Sequence, residues 1–269
     1  MATMTLEKSI TSPPPIAGWR AWLLAVVVVS AVLGVWRLAP IPQDPAYHQF
    51  ADTRVVAGIP YGWNVLSNSL LFVVGLMGLS VVLYLRRAGS QSVLQPYAVL
   101  FAGMVLTSAG SSYYHAEPSN ARLLWDRLPM TIAFMGFFCS VIAEVMSRRL
   151  ATRLLPGLLG IGVAAVLYWY SGEMRGAGDL RLYVLVQFLP MLLIPLLLLM
   201  FPRPKNYLPW VLAMLGLYAL SKLFELWDAE IFSWGEIISG HTLKHILAAA
   251  APACLLPILR RRLQKLSAS

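Results

Sequence analysis

The chain is written in long apolar runs separated by short polar and basic stretches. Eight of these runs approach the roughly 20 residues that a helix needs to cross a bilayer. They predict helices over 20–38, 64–85, 94–114, 128–147, 154–171, 181–201, 207–227 and 241–259. The seventh is the least regular, because Lys222, Glu225 and Asp228 crowd its end. The chain has no internal repeat, no heptad pattern and no low-complexity segment. The fold class that follows is all-α, a polytopic transmembrane helix bundle. Residues 1–18, with Pro13, Pro14 and Pro15, are expected as a disordered tail. Residues 19–40 are expected as an additional span, retained rather than cleaved as a signal, 41–262 as the main bundle and 263–269 as a basic tail.

Composition excludes the soluble alternative. Charged residues make up 12% of the chain and hydrophobic ones 58%, whereas a soluble domain carries about 25% charged residues. A net charge of +9 would suggest nucleic acid in a soluble protein. Here the basic residues gather in short loops, where positive-inside topology and anionic lipid headgroups account for them. The bilayer is therefore the expected partner, and nucleic acid is not. Cys139 and Cys254 both fall inside apolar runs, which excludes a disulfide framework or a paired-cysteine metal motif.

The charges also orient the chain. With eight spans, the N-terminal tail, the C-terminus and the loops after spans two, four and six share one side. That side holds thirteen Lys and Arg residues against one acid, Glu7. The opposite side holds the other eight basic residues and ten of the twelve acids, with Glu144 left inside the fourth span. Both termini are thus expected in the cytoplasm. On this topology His48, His115, His241 and His245, the four histidines of the chain, all fall on the non-cytoplasmic side, with Asp126 just before the fourth span.

Three of these histidines could carry chemistry. His241 and His245 are four apart at the head of an apolar run, so a helix would project both imidazoles from one face. Such a pair offers two nitrogens to one metal, or it wets a helix end at the membrane interface. Thr242 stands where a zinc protease helix would place its catalytic Glu, so any general base comes from elsewhere. Lys244, between the two, is expected to face away and to snorkel or meet an acid. Ser111 and His115 are also four apart. They could form an activated hydroxyl or an oxyanion donor beside a metal, or a back-bonded serine and a helix-capping histidine. Asp126 is either an N-cap or a general acid/base. Asn64, Ser67 and Asn68 place amides and a hydroxyl inside an apolar run, where they would bond to another helix or orient ligands. His48 has no helical frame and is expected at the surface. Together, His115, His241 and His245 match an open catalytic zinc site, with three protein ligands and one position for water, whose pKa falls to about 7 there.

With these residues in hand, the chain resembles the alkaline ceramidase family, within the wider superfamily of seven-span membrane hydrolases that includes the adiponectin-receptor-like proteins. The resemblance rests on Trp63-Asn64 and Ser67-Asn68, then Ser111 with His115, then Asp126, then His241 with His245, in that order. It covers about residues 50–262 and implies a seven-helix hydrolase core. The first span is then an extra N-terminal helix, as in a bacterial-type member, which places the chain in an inner membrane. The resemblance implies His115, His241 and His245 as Zn2+ ligands, Ser111 as support for the water or the oxyanion, and Asp126 as proton shuttle. It implies hydrolysis of the amide of a ceramide-like membrane lipid to a sphingoid base and a fatty acid. It does not extend to the family's acidic calcium-binding cluster. Residues 43–62 offer only Asp44 and Asp52, and Tyr61-Gly62 replaces the acid expected before the motif. Competing readings are an ester-lipid hydrolase or remodelling enzyme on the same metal, a receptor with structural zinc, and a haem carrier held by paired histidines.

Overall fold

The computed structural model describes residues 18–90 and 93–267. Eleven α-helices account for most of them: α1 (Gly18–Arg37), α2 (Gly62–Leu66), α3 (Ser69–Arg87), α4 (Gln95–Ala116), α5 (Asn120–Val145), α6 (Arg148–Glu173), α7 (Arg181–Met200), α8 (Leu208–Leu226), α9 (Asp228–Ser233), α10 (Gly240–Ala253) and α11 (Leu256–Ser267). A single 3-10 turn, Pro45–His48, lies in the segment after α1. No strand forms among the described residues, and the all-α polytopic bundle stands.

Among the described residues, seven helical stretches are long and apolar enough to cross a membrane, with α2–α3 and α10–α11 each counting as one. The third expected span, α4, is not among them. Its 22 residues are long enough, but Thr107, Ser108, Ser111, Ser112 and His115 dilute its apolar character. The packing explains how this is tolerated. α4 lies between α3 and α5 and also touches α2 and α6, so Thr107, Ser108, Ser111 and His115 are buried in protein and Ser112 is half-buried. α10 closes the bundle by packing on α8 and α3. α1 leans on α7 and has no buried residue.

Helix starts explain two further departures. Ser119 Oγ accepts from Arg122 N, so α5 begins eight residues before the expected 128. Asp126 is therefore not an N-cap; it lies within α5. Ser239 caps α10 in the same way through Thr242 N. At the other end, α11 continues to Ser267, so residues 263–267 are helical where a tail was expected. Residues 1–17 of the expected disordered tail lie outside the described residues.

Two glycines set the distances that matter for function. A Cβ on Gly110 would stand 2.0 Å from the Trp125 carbonyl oxygen, so only glycine lets α4 approach α5 there. Pro129 assists, because it lacks the N–H that would otherwise engage that carbonyl within α5. This close approach brings Ser111 and Asp126 to the wall of one cavity. A Cβ on Gly240 would stand 2.2 Å from Phe224 O, which seats the head of α10 against the end of α8.

Candidate metal centre

His115 arrives from the last turn of α4, and His241 and His245 from the first two turns of α10. All three are buried, and each offers a ligand nitrogen within 4.8 Å of the others. His115 Nε2 and His241 Nε2 are 3.3 Å apart. Two nitrogens held at about 2.0–2.1 Å from one tetrahedral ion are about 3.3 Å apart, so this separation fits a shared metal. Ring centroids of the three imidazoles lie 4.7, 4.8 and 4.9 Å from one another, at steep angles. That packing brings the three rings directly against one another. No fourth His, Cys, Asp or Glu joins the group among the described residues, so it would leave a metal one position open.

The surroundings orient these rings. Ser67 Oγ donates to Asn64 O at 3.1 Å and sits 2.8 Å from His245 Nδ1. With that proton on Asn64 O, Ser67 accepts from Nδ1–H, and His245 Nε2 is the nitrogen left for a metal. An outer partner of this kind fixes the tautomer of a metal-binding histidine. Asn64 Oδ1 accepts from Thr242 Oγ1 at 2.9 Å, which ties α2 to α10. Asn68 Nδ2 donates to Asn64 O, and Ser108 Oγ donates to Asn68 O. The polar set at 64–68 thus both joins helices and holds the His245 ring. His115 Nδ1 has no hydrogen-bond partner; ring packing against Phe50 and Tyr114, at 4.7 and 4.8 Å, holds this imidazole instead.

Ser111 and Asp126 meet, as the sequence allowed. Both are buried, and both line the same cavity. Ser111 is not spent on its own helix, and Asp126 does not cap one. Together with His245 and Lys244 they line the head of a cavity of about 110 Å³. Apart from Thr107 and Tyr218, the rest of its wall is apolar, formed by Leu100, Met104, Phe137, Met191 and Met214 among others.

Lys244 and His48 depart from expectation. Lys244 pairs with Glu225 at 2.5 Å, but it does not face away, since its Nζ lies 3.3 Å from His241 Nε2. Glu225 also pairs with Lys222 and accepts from Tyr47 OH at 3.1 Å. His48 is half-buried in the 3-10 turn, not at the surface. It bridges Tyr114 OH at 2.9 Å and Asn120 Oδ1 at 3.0 Å, so it supports the outer segment from outside the histidine cluster.

The sequence did not reveal what closes the cluster on its loop side. Phe50 stacks at 4.7 and 4.5 Å on His115 and His241. Its backbone neighbour Ala51 donates to Asp228 Oδ2, and Asp228 Oδ1 accepts from His241 N. Further along, Asp52 binds the Arg54 guanidinium through both oxygens, and Arg54 also donates to Glu236 O and Ile237 O. Burial would raise the Asp52 carboxyl, but hydrogen bonds from Arg54 and its charge hold it below the usual carboxylate range. Asp44 caps the 3-10 turn through Ala46 N. Each of the two carboxylates considered for calcium thus already has a partner. A lone Phe in a loop carries no periodic or motif signal, which is why Phe50 was missed. An acid three residues from a lysine in an apolar run, as at Lys222 and Glu225, was the available signal for the ion cluster.

A comparison with models of known protein families finds no match for this chain, and neither does a comparison with curated proteins.

Proposed function

We propose that this protein is a zinc-dependent hydrolase that cleaves an acyl amide of a ceramide-like lipid within the membrane. The observation that carries the proposal is the junction of a buried three-histidine cluster with the head of an apolar cavity that Ser111 and Asp126 also line. The ordered motifs shared with alkaline ceramidases support the same reading. His115, His241 and His245 would hold the ion through ring nitrogens, with Ser67 fixing His245. A zinc ion with one open position supplies Lewis acidity, which ionises water near neutral pH and polarises a carbonyl.

The remaining work falls to the chain. The apolar walls hold the acyl chain and exclude water, which strengthens every polar contact at the cavity head. Asp126 moves protons at a carboxylate oxygen, taking one from water and delivering it to the departing amine. Ser111 holds that carboxylate through its hydroxyl and so sets the direction of transfer. Phe50 keeps the loop side closed. The charge pattern supports an orientation with both termini cytoplasmic and the histidine cluster towards the other face.

The test is a panel of acyl lipids, amides and esters, incubated with the purified chain and read by release of free fatty acid. Release from amides, abolished by a zinc chelator and restored by zinc, is the expected outcome. Release only from esters would replace the amidase with an ester-lipid hydrolase. No release from any acyl lipid would overturn both.

A further inference from the structure

The end of the bundle away from the histidines carries a groove that the proposed reaction does not use. It lies where α11 packs on α3. Apolar side chains from Phe72 to Val81 line it, interrupted by Ser80, with Arg260 on its other side. Phe72, Val73, Leu76 and Met77 are exposed there. From Phe72 to Val81 the groove runs about 13 Å at helical rise, close to half of a hydrocarbon core about 30 Å thick. Its length is that of one leaflet. Both walls start from the histidine end, where Ser67 meets His245. Arg260 is fifteen residues past His245, so at equal rise it stands level with about residue 82 of α3. α3 continues for more than another turn, to Arg87. A cation held that far inside a lipid-facing surface is costly unless an anion meets it. The protein supplies none. Glu144 is the one acid among the described residues at this end, and Arg262 and Tyr97 already hold it. Arg86, Arg87, Arg260, Arg261 and Lys265 are all exposed, and no ion pair among the described residues includes any of them.

We propose that this groove seats an acyl chain of one anionic glycerophospholipid, whose phosphate meets Arg260. The apolar wall suits the chain and gives a nucleic acid nothing to stack on or pair with. A second copy of the protein on this face would set the same five cations against their equals. A zwitterionic lipid would bring its own ammonium among them. With the orientation that the loop charges support, the site belongs to the cytoplasmic leaflet, whose surface is negative.

The experiment is native mass spectrometry of the purified full chain in neutral detergent, with dioleoylphosphatidylglycerol and dioleoylphosphatidylcholine added at equal concentration. Wild type is expected to retain the first about fivefold or more over the second, the size expected for one arginine on an anionic headgroup. Arg260→Gln should remove most of that preference. Arg261→Gln should keep it, because that side chain does not line the groove. Ser80→Trp fills the groove from an exposed position and should lower retention of both lipids. Equal losses in Arg260→Gln and Arg261→Gln would mean a diffuse basic surface and overturn the site. So would a wild type that holds both lipids alike, a result that needs no variant to fold. A wild-type dimer that Ser80→Trp disperses would put a second copy in the groove and overturn the lipid. Binding is read without turnover, so the outcome stands apart from the hydrolase reading.

Discussion

At the scale of residues, the sharpest feature is a serine hydrogen-bonded to His245. With its own proton on Asn64 O, Ser67 Oγ accepts from Nδ1–H of the imidazole. Ser67→Ala is therefore expected to weaken zinc binding about 10–100-fold, measured by competition with a chelating dye, while activity returns at saturating zinc. Asp126→Asn should keep zinc and lower turnover by about 10²–10⁴-fold, because the acid/base at the cavity head is gone. Unchanged turnover would remove Asp126 from the mechanism. The identity of these residues was legible in the sequence, since helical spacing pairs Ser111 with His115 and His241 with His245. The partners were not. Ser67 and His245 lie 178 positions apart, and no local pattern reports which hydroxyl meets which ring.

At the scale of elements, the site depends on how closely α4 approaches α5. Gly110→Ala places a methyl against the Trp125 carbonyl and should cost about 1–3 kcal/mol as an overpacked contact, seen as a lower melting temperature. Gly157, within α6, has no atom near a new Cβ, so Gly157→Ala should stabilise by about 0.5–1 kcal/mol through helix propensity. Equal effects at the two positions would contradict this account of the packing. The outer segment around Phe50 is held differently, by Asp52 and Arg54. The Asp52 carboxyl is held below its ordinary range. Its contribution is therefore complete above about pH 4, the unfolded value, and is lost as pH falls through the depressed folded value. Hydrogen exchange in residues 49–56 should rise over that acidic window, and Arg54→Ala should abolish the rise by loosening the segment at every pH. Helix existence was legible from apolar run length. The start of α5 was not, because Ser119 caps it well before the apolar run begins.

At the scale of the molecule, α4 carries a run of Thr, Ser and His into an apolar bundle, and its neighbours cover most of that run. Counting spans by apolarity alone misses α4 for this reason, whereas run length and the charge asymmetry of the loops retain it. The outlying α1 makes the opposite case, apolar between Arg20 and Arg37 save for Ser30, yet with no buried residue. Removing residues 1–34 should leave zinc content and thermal stability nearly unchanged, and loss of zinc in that truncation would show that α1 supports the site. The architecture was readable because bilayer length and loop charge act on the whole chain. The cavity was not, because it forms between five or more helices whose mutual rotation no single run specifies.

The central claim is that His115 from α4 and the α10 pair hold one ion that the hydrolysis requires. Metal content and fatty-acid release, measured together on wild type and on His115→Ala, test it most directly. The account predicts about one zinc per wild-type chain, with metal and activity both lost in the variant. Full lipid hydrolysis by a His115→Ala protein free of zinc would contradict it.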